Sequence, residues 1–164
     1  MAVVTTAGDY AWAAFGIRHT MTAGVLHGVV LLGTLGAFLG SQSGRLMTGA
    51  IGGLGAGAVS ALAFYAMAPA LGVSAMFAAW ALMWVAFAAL DAYGLRRDGG
   101  TGWIVRGLVA AIAGGLAFYT VSGVWTQHAD QPNYFWNIIA WLIAWWPGLA
   151  ALTFGSTRVG GQQA

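Results

Sequence analysis

The chain contains no cysteine, no lysine and no glutamate. Without cysteine it forms no disulfide, carries no thiolate nucleophile and cannot ligate zinc or an iron–sulfur cluster through sulfur. Its basic residues are six arginines and its acidic residues four aspartates. Charged residues make up 6% of the 164 positions, against about 25% in soluble domains. Such a chain cannot solvate its own surface in water. A formal charge of +2 is too small and too scattered for a nucleic-acid interface, so no nucleic-acid partner is expected. The opening stretch "MAVVTTAGDYAW" lacks a basic flank, so no cleaved secretory signal is expected.

What fills the sequence instead is apolar: 60% of residues are hydrophobic. About 20 such residues in a row cross the hydrocarbon core of a bilayer. Hydropathy marks five segments, 20–40, 46–71, 73–93, 103–125 and 134–154. They are continuously apolar, whereas membrane β-strands alternate over about 10 residues. The expected fold class is all-α, a polytopic bundle of five transmembrane helices forming a single domain over 1–164. Residues 1–19 read as an N-terminal interfacial segment, with Asp9 capping a short helix and Trp12 and Phe15 at the interface. Residues 155–164 read as a tail.

Arginine placement orients the bundle. Arg45, Arg96, Arg97, Arg106 and Arg158 fall at one set of span ends. The turns "APALGVSA" and "TQHADQPNY" at the other set hold no basic residue. The positive-inside rule then places the N-terminus outside and the C-terminus in the cytoplasm, in a membrane of the bacterial inner type. Arg18 is the exception, and its long side chain can snorkel.

The tetrapeptide "LAFY" occurs at Leu62–Tyr65 and again at Leu116–Tyr119. A shift of 54 residues aligns Gly53 with Gly107, Leu54 with Leu108 and Ala56 with Ala110. Past the turn a shift of 61 aligns "AWALMW" (Ala79–Trp84) with "AWLIAW" (Ala140–Trp145). Spans two–three and four–five therefore read as a parallel hairpin repeat. Small residues at four-residue spacing, Gly49, Gly53, Gly57 and Ala61 in span two and Gly107, Ala111 and Gly115 in span four, suit close helix packing.

Span one carries Thr20, His27, Thr34 and Ser41 at intervals of seven, hence on one face. His27 is the ionisable residue deepest in a span, and such residues are functional candidates. Tyr65, Tyr119, Ser122 and Asn137 lie at comparable depth in the predicted outer half. Trp80, Trp84, Trp141 and Trp145 mark equivalent positions below them, where paired aromatics can floor a pocket. Packing and simple hydrogen bonding are the ordinary roles of all these residues. Ala23, Gly24 and Gly28 leave room beside His27 for a flat ring, so His27 can be weighed as a single axial ligand of a tetrapyrrole; the second membrane-embedded histidine of a bis-histidine haem is missing. No zinc spacing, phosphate loop or nucleophile motif occurs.

The expectation is a non-enzymatic membrane protein with no dedicated cofactor. It would bind or pass a small neutral or weakly polar solute through the polar cluster. The alternative is an accessory subunit of a larger membrane complex, holding a pigment, haem or quinone near His27. Partners are the lipid bilayer and either further copies of the chain or other subunits.

Overall fold

The computed structural model describes residues 1–16, 21–96, 102–126 and 134–153, with the side chains of 12, 13, 73 and 122–126 outside the description. The described residues form helices and no β-strand. In chain order they are α1 (Ala2–Ala14), α2 (Met21–Gln42), α3 (Leu46–Leu71), α4 (Ala75–Ala89), α5 (Gly102–Thr126) and α6 (Tyr134–Thr153). A short 3₁₀ turn, Gly72–Ser74, joins α3 to α4, and α4 runs on as a π-helical turn, Leu90–Leu95. Five of these helices, counting Ala75–Leu95 as one, are long and apolar enough to cross a membrane. The protein is an integral membrane helical bundle.

The chain alternates direction through the bundle. The ends carrying Met21, Leu71 and Tyr134 share one side, here the Tyr134 end. Arg45, Arg96 and Arg106 share the other, the arginine end.

Helices α2 and α3 form the closest pair. Their backbones touch along Gly28, Gly36 and Gly40 on one side and Gly49, Gly53 and Gly57 on the other, while Gly33 receives the Leu54 side chain. A Cβ added at Gly36 would come to 2.8 Å from the Gly53 Cα, and one at Gly57 to 2.8 Å from the Gly28 carbonyl carbon. Without side chains in the way, dispersion contacts and lipid release hold the two helices together, since lipid gives them no hydrophobic drive to associate. The turn between them closes at Gly44, whose φ of 68° is left-handed, while the Arg45 N–H bonds the Gly40 carbonyl at 2.7 Å.

Helix α4 lies between α3 and α5 and buries Met83, Trp84 and Phe87. Trp84 is fully buried because two glycines admit it: Gly114 of α5 and Gly148 of α6 both lie directly against its ring. The α6 helix continues through Pro147. Proline lacks the N–H for the carbonyl four residues earlier, so the intrahelical ladder is interrupted next to the glycine that receives Trp84.

α1 packs against α6 and, more lightly, α2. It runs antiparallel to α6, with Thr5 at Trp145, Asp9 at Trp141 and Tyr10 at Tyr134. At 13 residues it is about 20 Å long, roughly two thirds of the hydrocarbon thickness. Asp9 is not a cap. It lies within the helix and is half-buried. Phe15, just past the helix, is exposed as expected.

Candidate functional site: a polar cluster above a tryptophan core

The contact between α1 and α6 is polar. Trp141 Nε1 donates to Asp9 Oδ2 at 2.7 Å, and Asn137 Nδ2 donates to the same oxygen at 3.1 Å. One turn deeper, Trp145 Nε1 donates to Thr5 Oγ1 at 3.1 Å, and that hydroxyl donates on to the Met1 carbonyl at 3.1 Å. Thr5 is completely buried. Positions 5 and 9 are one helical turn apart on α1, as are 137, 141 and 145 on α6, so each helix presents one polar stripe to the other.

His27 joins the cluster from α2. Its imidazole lies against Gly8 of α1, where a Cβ would come to 3.1 Å from Nδ1, and it interacts electrostatically with Asp9. The Tyr65 side chain of α3 packs on Gly24, one turn from His27 on α2. The cluster is thus assembled by α1, α2, α3 and α6 at the Tyr134 end.

Beneath it the four tryptophans meet. Trp80 lies 4.9 Å from Trp145 and 6.4 Å from Trp141, centroid to centroid. Trp84 lies 5.7 Å from Trp145 at an angle of 69°. Phe118 stacks on Trp80 at 4.7 Å. The two predicted Trp pairs, one on α4 and one on α6, therefore share a single aromatic core, and Trp141 and Trp145 tie it to α1.

The indole nitrogens on the two helices have different environments. Those of Trp141 and Trp145 are bonded to α1. Those of Trp80 and Trp84 are buried and have no hydrogen-bond acceptor among the described residues. Both lie close to one place: a Cβ at Gly114 would stand 3.2 Å from Trp80 Nε1 and 2.5 Å from Trp84 Nε1. A buried donor without an acceptor costs about 1–3 kcal/mol, so two donors converging on one spot call for an explanation. Asn137 Oδ1 and Thr6 Oγ1, also buried, have no partner among the described residues either.

Thr34 is exposed and its hydroxyl bonds its own helix at the Val30 carbonyl, 2.8 Å, so it stands outside the cluster. Tyr119 is also exposed. It lines an open groove of about 350 Å³ with Phe77, Ala111, Ile112, Gly115 and Leu116, away from the Gly24–Tyr65 contact. Tyr65 is covered because α2 packs on α3; the matching face of α5, at Gly115, has nothing within 4 Å. Thr20 and the Ser122 side chain lie outside the described residues. The clearance beside His27 is occupied by protein: Gly24 receives Tyr65, and Gly28 faces Ala61 and the Gly57 backbone. A macrocycle has no room there in this conformation. Among the described residues no group of three or more His, Cys, Asp or Glu side chains is arranged to hold a metal ion.

Asp9 was expected only as a helix cap, and Thr5 not at all, among the residues of this cluster. Their signal was an uncharged helical stretch around one aspartate, with a threonine one turn before it. That stretch is too short for the length rule that identifies spans.

Comparison with known protein families, with curated proteins and with solved structures finds no match to this chain.

Proposed function

We propose that this protein is a non-enzymatic membrane component that binds, or passes, a small neutral or weakly polar solute carrying a hydrogen-bond acceptor. The observation that supports the reading most is the pair of indole donors of Trp80 and Trp84, both without an acceptor beside Gly114. A carbonyl or hydroxyl oxygen satisfies such donors once the helices part beside Gly114, which packs directly on the indoles in this conformation, while the solute's uncharged body suits the aromatic walls. An ion would lose hydration that this core does not replace. The solute enters from the Tyr134 end past Asp9, His27 and Asn137, with α1 as the element that must yield. By the arginine distribution that end faces outside and the C-terminus is cytoplasmic.

A second reading is favoured by the stacked Trp80–Phe118 pair: a quinone ring, flat and bearing two carbonyl acceptors, held by the protein as an accessory subunit of a larger complex. Purification from native membrane separates the two. A quinone extracted in stoichiometric amount supports the second.

The first reading is tested in proteoliposomes loaded against a panel of uncharged amides, ureas and polyols. Uptake above that of empty vesicles is expected, and His27→Ala and Trp84→Phe are expected to change it. Uptake equal to that of empty vesicles across the panel, with no solute bound, contradicts it.

A further inference from the structure

At the arginine end, three guanidinium groups from three separate elements gather round one turn of helix. Asp91 sits in the π-turn Leu90–Leu95 and is 4% exposed. Arg96 Nε lies 2.8 Å from Asp91 Oδ1, and a terminal nitrogen of Arg106, from the start of α5, lies 4.0 Å from Oδ2. Arg45, in the α2–α3 turn, donates from a terminal nitrogen to the Gly94 carbonyl of the same π-turn at 3.0 Å. The arginines meet at the end of the π-turn. Its wider hydrogen bond runs from the Arg96 N–H to the Asp91 carbonyl at 2.8 Å, and the Gly94 carbonyl, in the last turn of the helix, is one of the terminal carbonyls that need an outside donor. Such bulges recur at functional sites.

The charges here do not balance. Among the described residues of the cluster, three arginines and one aspartate leave two positive charges. The arginines are partly open, with side-chain exposures of 26% for Arg96 and 16% for Arg106. Each guanidinium offers five donors in a planar fork that suits phosphate oxygens. Tyr93 and Trp103 pair at the same level, the indole donating to the phenol oxygen at 3.0 Å. Tyrosine and tryptophan concentrate at the depth of lipid headgroups.

We propose that Arg45, Arg96 and Arg106 form a binding site for a phosphate group at the membrane surface, with Asp91 as the positioning residue that holds Arg96 and Arg106 close to the turn where Arg45 is anchored. The phosphate belongs either to the headgroup of an anionic phospholipid or to free inorganic phosphate. This site lies at the opposite end of the bundle from the solute site and does not depend on it.

Native mass spectrometry of the full chain, delipidated in mild detergent, tests the site. The protein is offered phosphatidylglycerol, phosphatidylcholine of the same acyl chains, or inorganic phosphate. Retention of phosphatidylglycerol over phosphatidylcholine is expected, falling about fivefold in Arg45→Gln and again in Arg106→Gln. Loss of the lipid on adding millimolar inorganic phosphate, with phosphate bound in its place, assigns the site to free phosphate; retention through that challenge assigns it to the lipid. Should Arg106→Gln fail to fold, Arg45→Gln in the surface turn carries the test. Equal retention of the two lipids with no phosphate bound overturns the proposal, as does a preference unchanged in a folded Arg45→Gln protein.

Discussion

Asp9 takes two N–H donors on one carboxylate oxygen, both from α6. Hydrogen bonds to a charged group contribute about 1.5–3 kcal/mol each, and inside a bundle there is little water to replace them. Asp9→Leu removes the shared acceptor of the Asn137 amide and Trp141 indole bonds. We expect it to lower stability in detergent by about 2–3 kcal/mol, read as a fall in thermal midpoint. Trp145→Phe removes the neutral bond to Thr5, about 1 kcal/mol, and also part of a buried ring packed on Trp80 and Trp84, so it should cost more than the bond alone. Trp146→Phe, on an exposed side chain, should leave the midpoint unchanged. Equal effects from Trp145→Phe and Trp146→Phe would show that α1 is not held as described. The tryptophan pairs were legible from their spacing, because residues one turn apart share a helix face. Asp9 was not. Its role depends on where α1 docks, and a short apolar segment reads the same on the membrane surface as inside the bundle.

The same contrast holds among the glycines, at the scale of whole elements. Stripes of small residues in α3 and α5 look alike in sequence, but a stripe does not say which helix will cover it. In α3 it meets α2 backbone to backbone. In α5 Gly107 faces Val85 and Ala88 of α4, while Gly115 faces open space. Gly114, one residue off the predicted stripe, is the one that receives the indoles. Gly53→Ala should therefore push α2 from α3 at a cost of about 1–3 kcal/mol, and Gly148→Ala should do the same between α6 and Trp84. Gly115→Ala and Gly55→Ala have no neighbour to displace, and should be neutral or stabilising by up to about 1 kcal/mol through helix propensity. Unfolding in detergent for the four variants checks the ordering. The proposed hairpin repeat belongs at this scale as well. If duplication underlies it, α2 is the added element that separates the two copies, since it covers the Tyr65 face of one and leaves the Tyr119 face of the other open.

For the molecule as a whole, sparse charge and long apolar helices were enough to read a membrane bundle, because bilayer thickness fixes helix length. Of the charged residues within the described part, Arg45, Asp91, Arg96 and Arg106 gather at one end, while Asp9 lies toward the other. The absence of native cysteine makes the orientation directly measurable. Ser43→Cys, at the arginine end, should react with an impermeant maleimide only from the cytoplasmic side. Ser74→Cys, at the Tyr134 end, should react only from outside. The reverse pattern would invert the proposed topology.

The central claim is that an acceptor solute completes the Trp80 and Trp84 donors. It is tested most directly by the indole N–H spectrum of protein labelled with ¹⁵N at its nine tryptophans, with signals assigned through Trp80→Phe and Trp84→Phe. As an uncharged acceptor solute is added, the Trp80 and Trp84 signals should move together and saturably, while the exposed Trp146 signal stays in place. If no solute in the panel moves those two signals more than that of Trp146, the claim is contradicted.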